Sequence, residues 1–229
     1  MSSVKERPIL FSGAMVRALL DGSKTQTRRA NGLLGINEAA DQWARQWVPN
    51  TGRWHWLFQR AGYEDVYLRC PYGVEGERLW VRESHAFLGE RLLKSEGQPG
   101  YLYRADSNEF DGAGIKWKPS IHMPRVASRL LLEITAVRVE RLQDISEADA
   151  VAEGIEAHPS LNGLYKLYGS ESSFGTKESS YDYCEWGRAV SSYASLWNQI
   201  NGPHAYAANP WVWVVEFKVI AGGKEVASV

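Results

Sequence analysis

Three side chains within one short stretch could do covalent chemistry together: Lys24, Thr27 and Arg29, in Leu19-Leu20-Asp21-Gly22-Ser23-Lys24-Thr25-Gln26-Thr27-Arg28-Arg29. A lysine partly removed from water beside an arginine has its pKa lowered and can act as base for a neighbouring hydroxyl, which makes Thr27 a candidate nucleophile. Arg29 would supply a fixed positive charge and planar donors for a carbonyl or an oxyanion. The same residues also fit a solvated basic cluster on a turn, with two ordinary strand threonines.

The elements around the stretch decide whether these groups can meet. Ser12 to Asp21 reads as a short helix, capped by Ser12 and carrying Met15, Val16, Ala18, Leu19 and Leu20 on an apolar face. Gly22 ends it as a left-handed residue. From Thr25 the chain reads as a strand, with Thr27 and Arg29 on one face and Gln26 and Arg28 on the other. Lys24 can approach Thr27 only from the preceding turn. Upstream, Pro8 to Phe11 is a short apolar run suited to a first strand.

Further along, Trp43 and Trp47 have the i, i+4 spacing of one helix face, while Trp54, Trp56 and Phe58 alternate as in a hairpin strand. Arg45, Arg53 and Arg60 stand among these aromatics, so the block could stack on bases, but packing explains it as well. Leu79-Trp80-Val81-Arg82-Glu83 is a strand with Leu79 and Val81 on one side. Its end carries Arg82 and Glu83, which would either border a pocket or form an exposed ion pair. A further strand is expected over Gly100 to Ala105. Trp117 to Pro124 is bracketed by prolines and reads as an ordered loop, on which Trp117 and His122 could contact a heterocycle. The clearest strand signal is Ala127 to Leu142, with a break in alternation near Thr135-Ala136. Ser146 and Asp149 then form a capping box, and Gly154 closes that helix. Glu185 to Asn201 is an amphipathic helix with Trp186, Ala189, Val190, Tyr193, Leu196, Trp197 and Ile200 inward, and Trp211 to Val219 is a closing strand.

Composition narrows the function classes. The 229 residues hold 26 Lys and Arg against 27 Asp and Glu, a net charge of −1, so no bulk field draws the chain onto a phosphate backbone. Cys70 and Cys184 stand apart, as expected of free thiols in a reducing cytoplasm. No signal peptide and no membrane-spanning apolar run is evident, which predicts a cytoplasmic protein. The five histidines show no H-E-x-x-H spacing, so neither a metal nor an organic cofactor is expected. No G-x-S-x-G elbow surrounds Ser84-His85, and Gly169 to Lys177 does not match a phosphate loop.

Gly22-x-Lys24-x-x-Thr27-x-Arg29 resembles the G-x-K-x-x-E-x-R signature of ASCH domains, a branch of the PUA-like β-barrels, with threonine at the glutamate position. That threonine resembles the small bacterial ASCH proteins that hydrolyse N4-acetylcytidine. Gly76-Glu77-Arg78-Leu79-Trp80-Val81-Arg82-Glu83 and Pro119-Ser120-Ile121-His122-Met123-Pro124-Arg125 are similar to segments of longer phage and prophage ASCH-like proteins. The resemblance covers about residues 8–30, 76–84, 127–155 and 209–220. It implies an α+β fold, a PUA-like mixed β-barrel with flanking helices, as one domain over residues 1–220. Insertions are then expected at about 31–75 and 156–184, the second a Ser- and Gly-rich lid, with a tail over 221–229.

The resemblance further implies a catalytic set of Lys24, Thr27 and Glu153. Glu153 matches the helix-terminal glutamate of those hydrolases, and at the negative end of a helix an ionised carboxylate is disfavoured, as a proton shuttle requires. Arg29, Arg82, Glu83, Trp117 and His122 are the expected substrate-binding residues. The implied partner is a small modified nucleoside or base. Two alternatives remain: a module that binds a modified base in RNA or single-stranded DNA without chemistry, and an ASCH-type ribonuclease.

Overall fold

The computed structural model describes residues 4–48, 55–89, 100–106, 114–157, 163–168 and 188–222. In chain order the elements are β1 (Glu6–Leu10), α1 (Gly13–Asp21), β2 (Gln26–Arg29), α2 (Leu34–Asn37), β3 (Ala44–Val48), β4 (His55–Gln59), β5 (Val66–Leu68), β6 (Arg78–Arg82), β7 (His85–Phe87), β8 (Tyr101–Tyr103), β9 (Leu131–Arg141), α3 (Glu147–Ala152), α4 (Ala189–Asn201) and β10 (Trp211–Ala221). The architecture is α+β. A five-stranded sheet has the order β1-β6-β9-β10-β2, a three-stranded sheet β3-β4-β5, and a two-stranded sheet β7-β8.

The expected barrel does not close among the described residues. The large sheet begins at β1 and ends at β2, strands of five and four residues. Closure requires the terminal strands to pair along a tilted, staggered seam, and such short ends offer little ladder for one.

The chain divides into two compact units. The first comprises Met1–Thr25, Tyr72–Val137 and Val215–Val229, the second Gln26–Pro71 and Arg138–Val214. β9 and β10 contribute residues to both.

In the first unit, β1 runs parallel to β6 with Ile9 opposite Val81, and β6 runs antiparallel to β9. Leu79 and Val81 are buried on one face of β6, while Trp80 and Arg82 are half-buried. The chain folds α1 as its residues require. The Ser12 hydroxyl accepts from the Met15 N–H at 3.4 Å, and Gly22 sits at φ 84° with its own N–H donating to the Leu19 carbonyl at 3.3 Å. Met15, Val16, Ala18 and Leu19 form the buried face. The proline-bracketed segment holds one 3-10 turn, Ser120–His122, and a second, Arg125–Ala127, follows Pro124. The Tyr103 hydroxyl donates to the Ala127 carbonyl at 2.9 Å and ties β8 to the second turn.

In the second unit a core of Leu142, Ile145, Ala150, Ile155, Ala189, Tyr193, Trp197, Val212 and Val214 gathers α3, α4 and β10. The Ser146–Asp149 capping box is present. Arg188 gives α4 no side-chain cap; the Glu147 carboxylate accepts the Ala189 N–H at 2.6 Å instead. Ile200, expected on the core side of α4, is exposed: it is in phase with the buried Tyr193 and Trp197 but stands in the last turn, past the last α4 residue of the core. Trp186 falls outside the described residues, as does most of the expected lid over 156–184.

Trp43 and Trp47 do not share a helix. Residues Ala44–Val48 form β3, paired antiparallel with β4 so that Trp47 stands opposite Trp56. Ala44-Arg45-Gln46-Trp47-Val48 can also extend, and the cross-strand partners in β4 reward that conformation. Phe58 meets the Trp211 ring edge-on, with centroids 5.5 Å apart. Asn37 completes the start of β10 as a backbone would: its side chain accepts the Trp211 N–H at 2.7 Å and donates to the Trp211 carbonyl at 3.0 Å.

The expected break in β9 shows as a change in burial rather than as an interruption. Leu132 and Ile134 are buried at even positions, then Val139 at an odd one, within a strand that remains continuous.

Candidate functional site

β2 carries Gln26, Thr27 and Arg28 inside the second unit, all buried. Gln26 and Arg28 share a face, as alternation requires, because both reach Asp149 on α3. The Gln26 amide donates to the Asp149 carbonyl at 2.8 Å and to its Oδ1 at 3.1 Å. Arg28, 1% exposed, faces three carboxylates: Nη1 lies 3.2 Å from Glu153 Oε1, and Nη2 lies 3.2 Å from Glu140 Oε2 and 3.3 Å from Asp149 Oδ2. Arg138 pairs with Glu140 and Asp149 as well. The cluster is thus two guanidiniums among three carboxylates.

Electrostatics follow from this packing. Burial alone would push the Asp149 carboxyl up, but the Ser146 hydrogen bond, the Arg28 charge and Gln26 together hold it below its usual range. Tyr193 of α4 is held well above an ordinary phenol, chiefly by burial and further by the Glu153 charge, with Arg28 and Arg29 opposing.

Thr27 points away from Gln26 and Arg28 by the same alternation. It is 0% exposed, and its Oγ1 has no hydrogen-bond partner among the described residues. A buried hydroxyl without a partner is uncommon, since its desolvation costs about 1 to 3 kcal/mol. β2 is the last strand of its sheet, so its outer edge carries no ladder among the described residues.

Lys24 belongs to the first unit, two residues from the start of β2. Its backbone N–H donates to the Ala18 carbonyl at 2.9 Å, and its Nζ lies 5.4 Å from the centre of the Phe11 ring, with the side chain 1% exposed. This is no solvated basic turn. Lys24 and Arg28 are both inside, and Arg29 is half-buried.

The other expected binding residues also fall in the first unit. Glu83 is buried and held by Arg129 at 2.9 Å and 3.0 Å, and Arg129 in turn reaches Asp106. Burial raises the Glu83 carboxyl above its ordinary value despite Arg129. The Arg82 guanidinium donates to the Ile121 carbonyl and lies over the Trp80 ring. Arg82 and Glu83 therefore do not pair with each other: successive strand side chains point to opposite faces, and each finds its partner there. Trp117 is half-buried beneath Arg104, and His122 is exposed. Burial lowers the His85 imidazole, whose backbone pairs with that of Lys118.

The structure brings Glu153 to β2 through Arg28, a residue that motif reasoning passed over because it stands between the signature positions. A signal existed, since a strand residue that alternates away from Thr27 must face the neighbouring helix. Among the described residues no group of three or more His, Cys, Asp or Glu is disposed to hold a metal ion. No helix among them is long and apolar enough to cross a membrane. No family model, curated protein or solved structure matches the chain.

Proposed function

We propose that this chain is a metal-independent amidohydrolase of the ASCH kind that removes the acyl group from N4-acylated cytosine bases or nucleosides. The observation that carries the reading is Thr27: a fully buried hydroxyl with no hydrogen-bond partner among the described residues, in the motif position of a nucleophile, three residues after a buried lysine. Its Oγ attacks the acyl carbonyl while Lys24 takes the hydroxyl proton. The C–N bond then breaks, and Glu153 delivers a proton to the departing N4 amine. Water, giving one proton back to Glu153, hydrolyses the resulting acyl-threonine ester; the Thr27 oxygen leaves with the proton held by Lys24, and the carboxylic acid is released. Arg29 steadies the oxyanion. Thr27 and Glu153 lie on opposite faces of β2, so the reading requires the scissile amide to lie along the strand's outer edge, which carries no ladder among the described residues. What now covers the hydroxyl must move aside when substrate enters.

The test is conversion of N4-acetylcytidine to cytidine, followed by absorbance, for the wild type and for Lys24→Ala, Thr27→Ala and Glu153→Gln. Turnover that collapses in all three variants supports the reading. Turnover surviving Thr27→Ala removes threonine as nucleophile, and an inert wild type, with longer acyl chains inert too, removes hydrolysis. A second reading, recognition of a modified base in RNA or single-stranded DNA without chemistry, is favoured by the Glu153–Arg28 pair, which already occupies the carboxylate. Salt-dependent binding of single strands by an inert protein would establish it.

A further inference from the structure

From the geometry around β2 we infer that Arg28 is a positioning residue, which fixes the Glu153 carboxylate for its proton transfer and does not itself touch substrate. The inference rests on the amidohydrolase reading. Arg28 reaches Glu153 with Nη1, while Nη2 is anchored by Glu140 on β9 and by Asp149 on α3. One planar group thereby ties a strand, a second strand and the helix whose C-terminal end carries Glu153. Its side chain is wholly buried and its two terminal nitrogens already face three carboxylates, so a phosphate or a base carbonyl would have to displace those contacts to meet the Nη groups. The Asp149 carboxylate itself accepts from the Gln26 amide and from the Ser146 N–H. The groups facing Arg28 are Glu140, Asp149 and Glu153, with Arg138, Arg29 and Tyr193 nearby. A guanidinium can serve two directions at once because its donors are fixed in a plane, which a single ammonium cannot reproduce.

The test is Arg28→Lys in the full chain, assayed on N4-acetylcytidine beside Glu153→Gln and the double variant, with thermal melts of each. The expected result is a fall in kcat of ~10-fold to ~100-fold with KM unchanged. In the Glu153→Gln background the same change has no further effect, because the group it positions is gone. A raised KM with unchanged kcat would show that Arg28 touches substrate and overturn the inference. So would equal fractional losses in both backgrounds, which mark a scaffold acting independently of Glu153. If the Glu153→Gln rate is too slow to follow, the split between kcat and KM decides alone. Should Arg28→Lys fail to fold, Glu140→Gln removes one anchor and leaves Arg28 in place, with an expected ~3-fold fall in kcat and unchanged KM. No fall in that variant overturns the inference. An inert wild type defeats the hydrolase reading and this inference together, whereas wild-type turnover with independent losses defeats the inference only.

Discussion

Replacing Thr27 by valine should make the protein more stable and chemically inert. Valine keeps the shape of threonine and suits a strand, so the packing around a fully buried side chain is preserved. What is lost is a hydroxyl whose oxygen has no hydrogen-bond partner among the described residues but is hydrated in the unfolded chain. Its burial costs about 1 to 3 kcal/mol, and part of that is recovered when a methyl group takes its place. A gain of about 1 to 2 kcal/mol corresponds, for a chain of this size, to a rise in Tm of roughly 2 to 8 °C. Urea denaturation and thermal melts of wild type and Thr27→Val would measure it, and hydrolysis of N4-acetylcytidine should be absent from the variant. A fall in stability of more than about 1 kcal/mol would refute the reasoning, because it would show that the hydroxyl holds the fold together. A nucleophile kept at a cost in stability is expected of a working site.

Three further outcomes follow from buried charge and backbone geometry. Arg28→Met leaves Glu153 without the guanidinium that faces it inside the second unit, and urea titration should show a loss of about 3 to 5 kcal/mol; a loss under about 1 would mean that the cluster is solvated. Burial holds the Glu83 proton in the folded chain at pH values where the unfolded chain has released it, so this group's contribution to stability falls as pH rises above its ordinary 4.5. The urea midpoint of Glu83→Gln, compared with wild type from about pH 4.5 to about pH 7, should lack that fall; identical slopes would remove Glu83 as its source. Gly73→Ala places a Cβ against both Arg7 Nη1 and Glu77 Oε2 at φ 123°, and a Tm drop equivalent to about 1 to 2 kcal/mol is expected, with an unchanged melt counting against the close approach.

Local chemistry was readable from the sequence wherever the cause was local. Ser12, Gly22, Ser146, Asp149 and Gly154 each act on backbone groups a few residues away, and the structure shows each doing so. The alternation of Leu79 and Val81, and that of Gln26 and Arg28, held for the same reason. Longer-range causes were not readable. Trp43 and Trp47 have helical spacing, but β4 offers Ala44–Val48 a ladder, and no spacing rule contains the partner strand. Ile200 is apolar and in phase with the core, yet the length of the buried stripe is set by what α4 packs against. At the candidate site, the motif pointed to Lys24, Thr27 and Arg29, whereas the ion cluster depends on Glu140 and Asp149, more than a hundred residues downstream of Arg28. The Arg129 clamp on Glu83 joins residues 46 apart and left no trace in the sequence pattern.

The interleaving of the two units has a consequence for synthesis. Each is stitched from separate lengths of chain, and both take residues from β10, the last strand to be made. A ribosome therefore releases α1, the β3-β4-β5 hairpins and even α3 before the large sheet is complete. The parallel pairing of Glu6 with Arg78 adds a long loop whose closure entropy must be met before the pairing stabilises anything. Until β10 is made, the large sheet lacks the strand between β9 and β2. For the same reason, cutting the gene at either unit's boundary would yield two fragments that each lack a strand, rather than two domains.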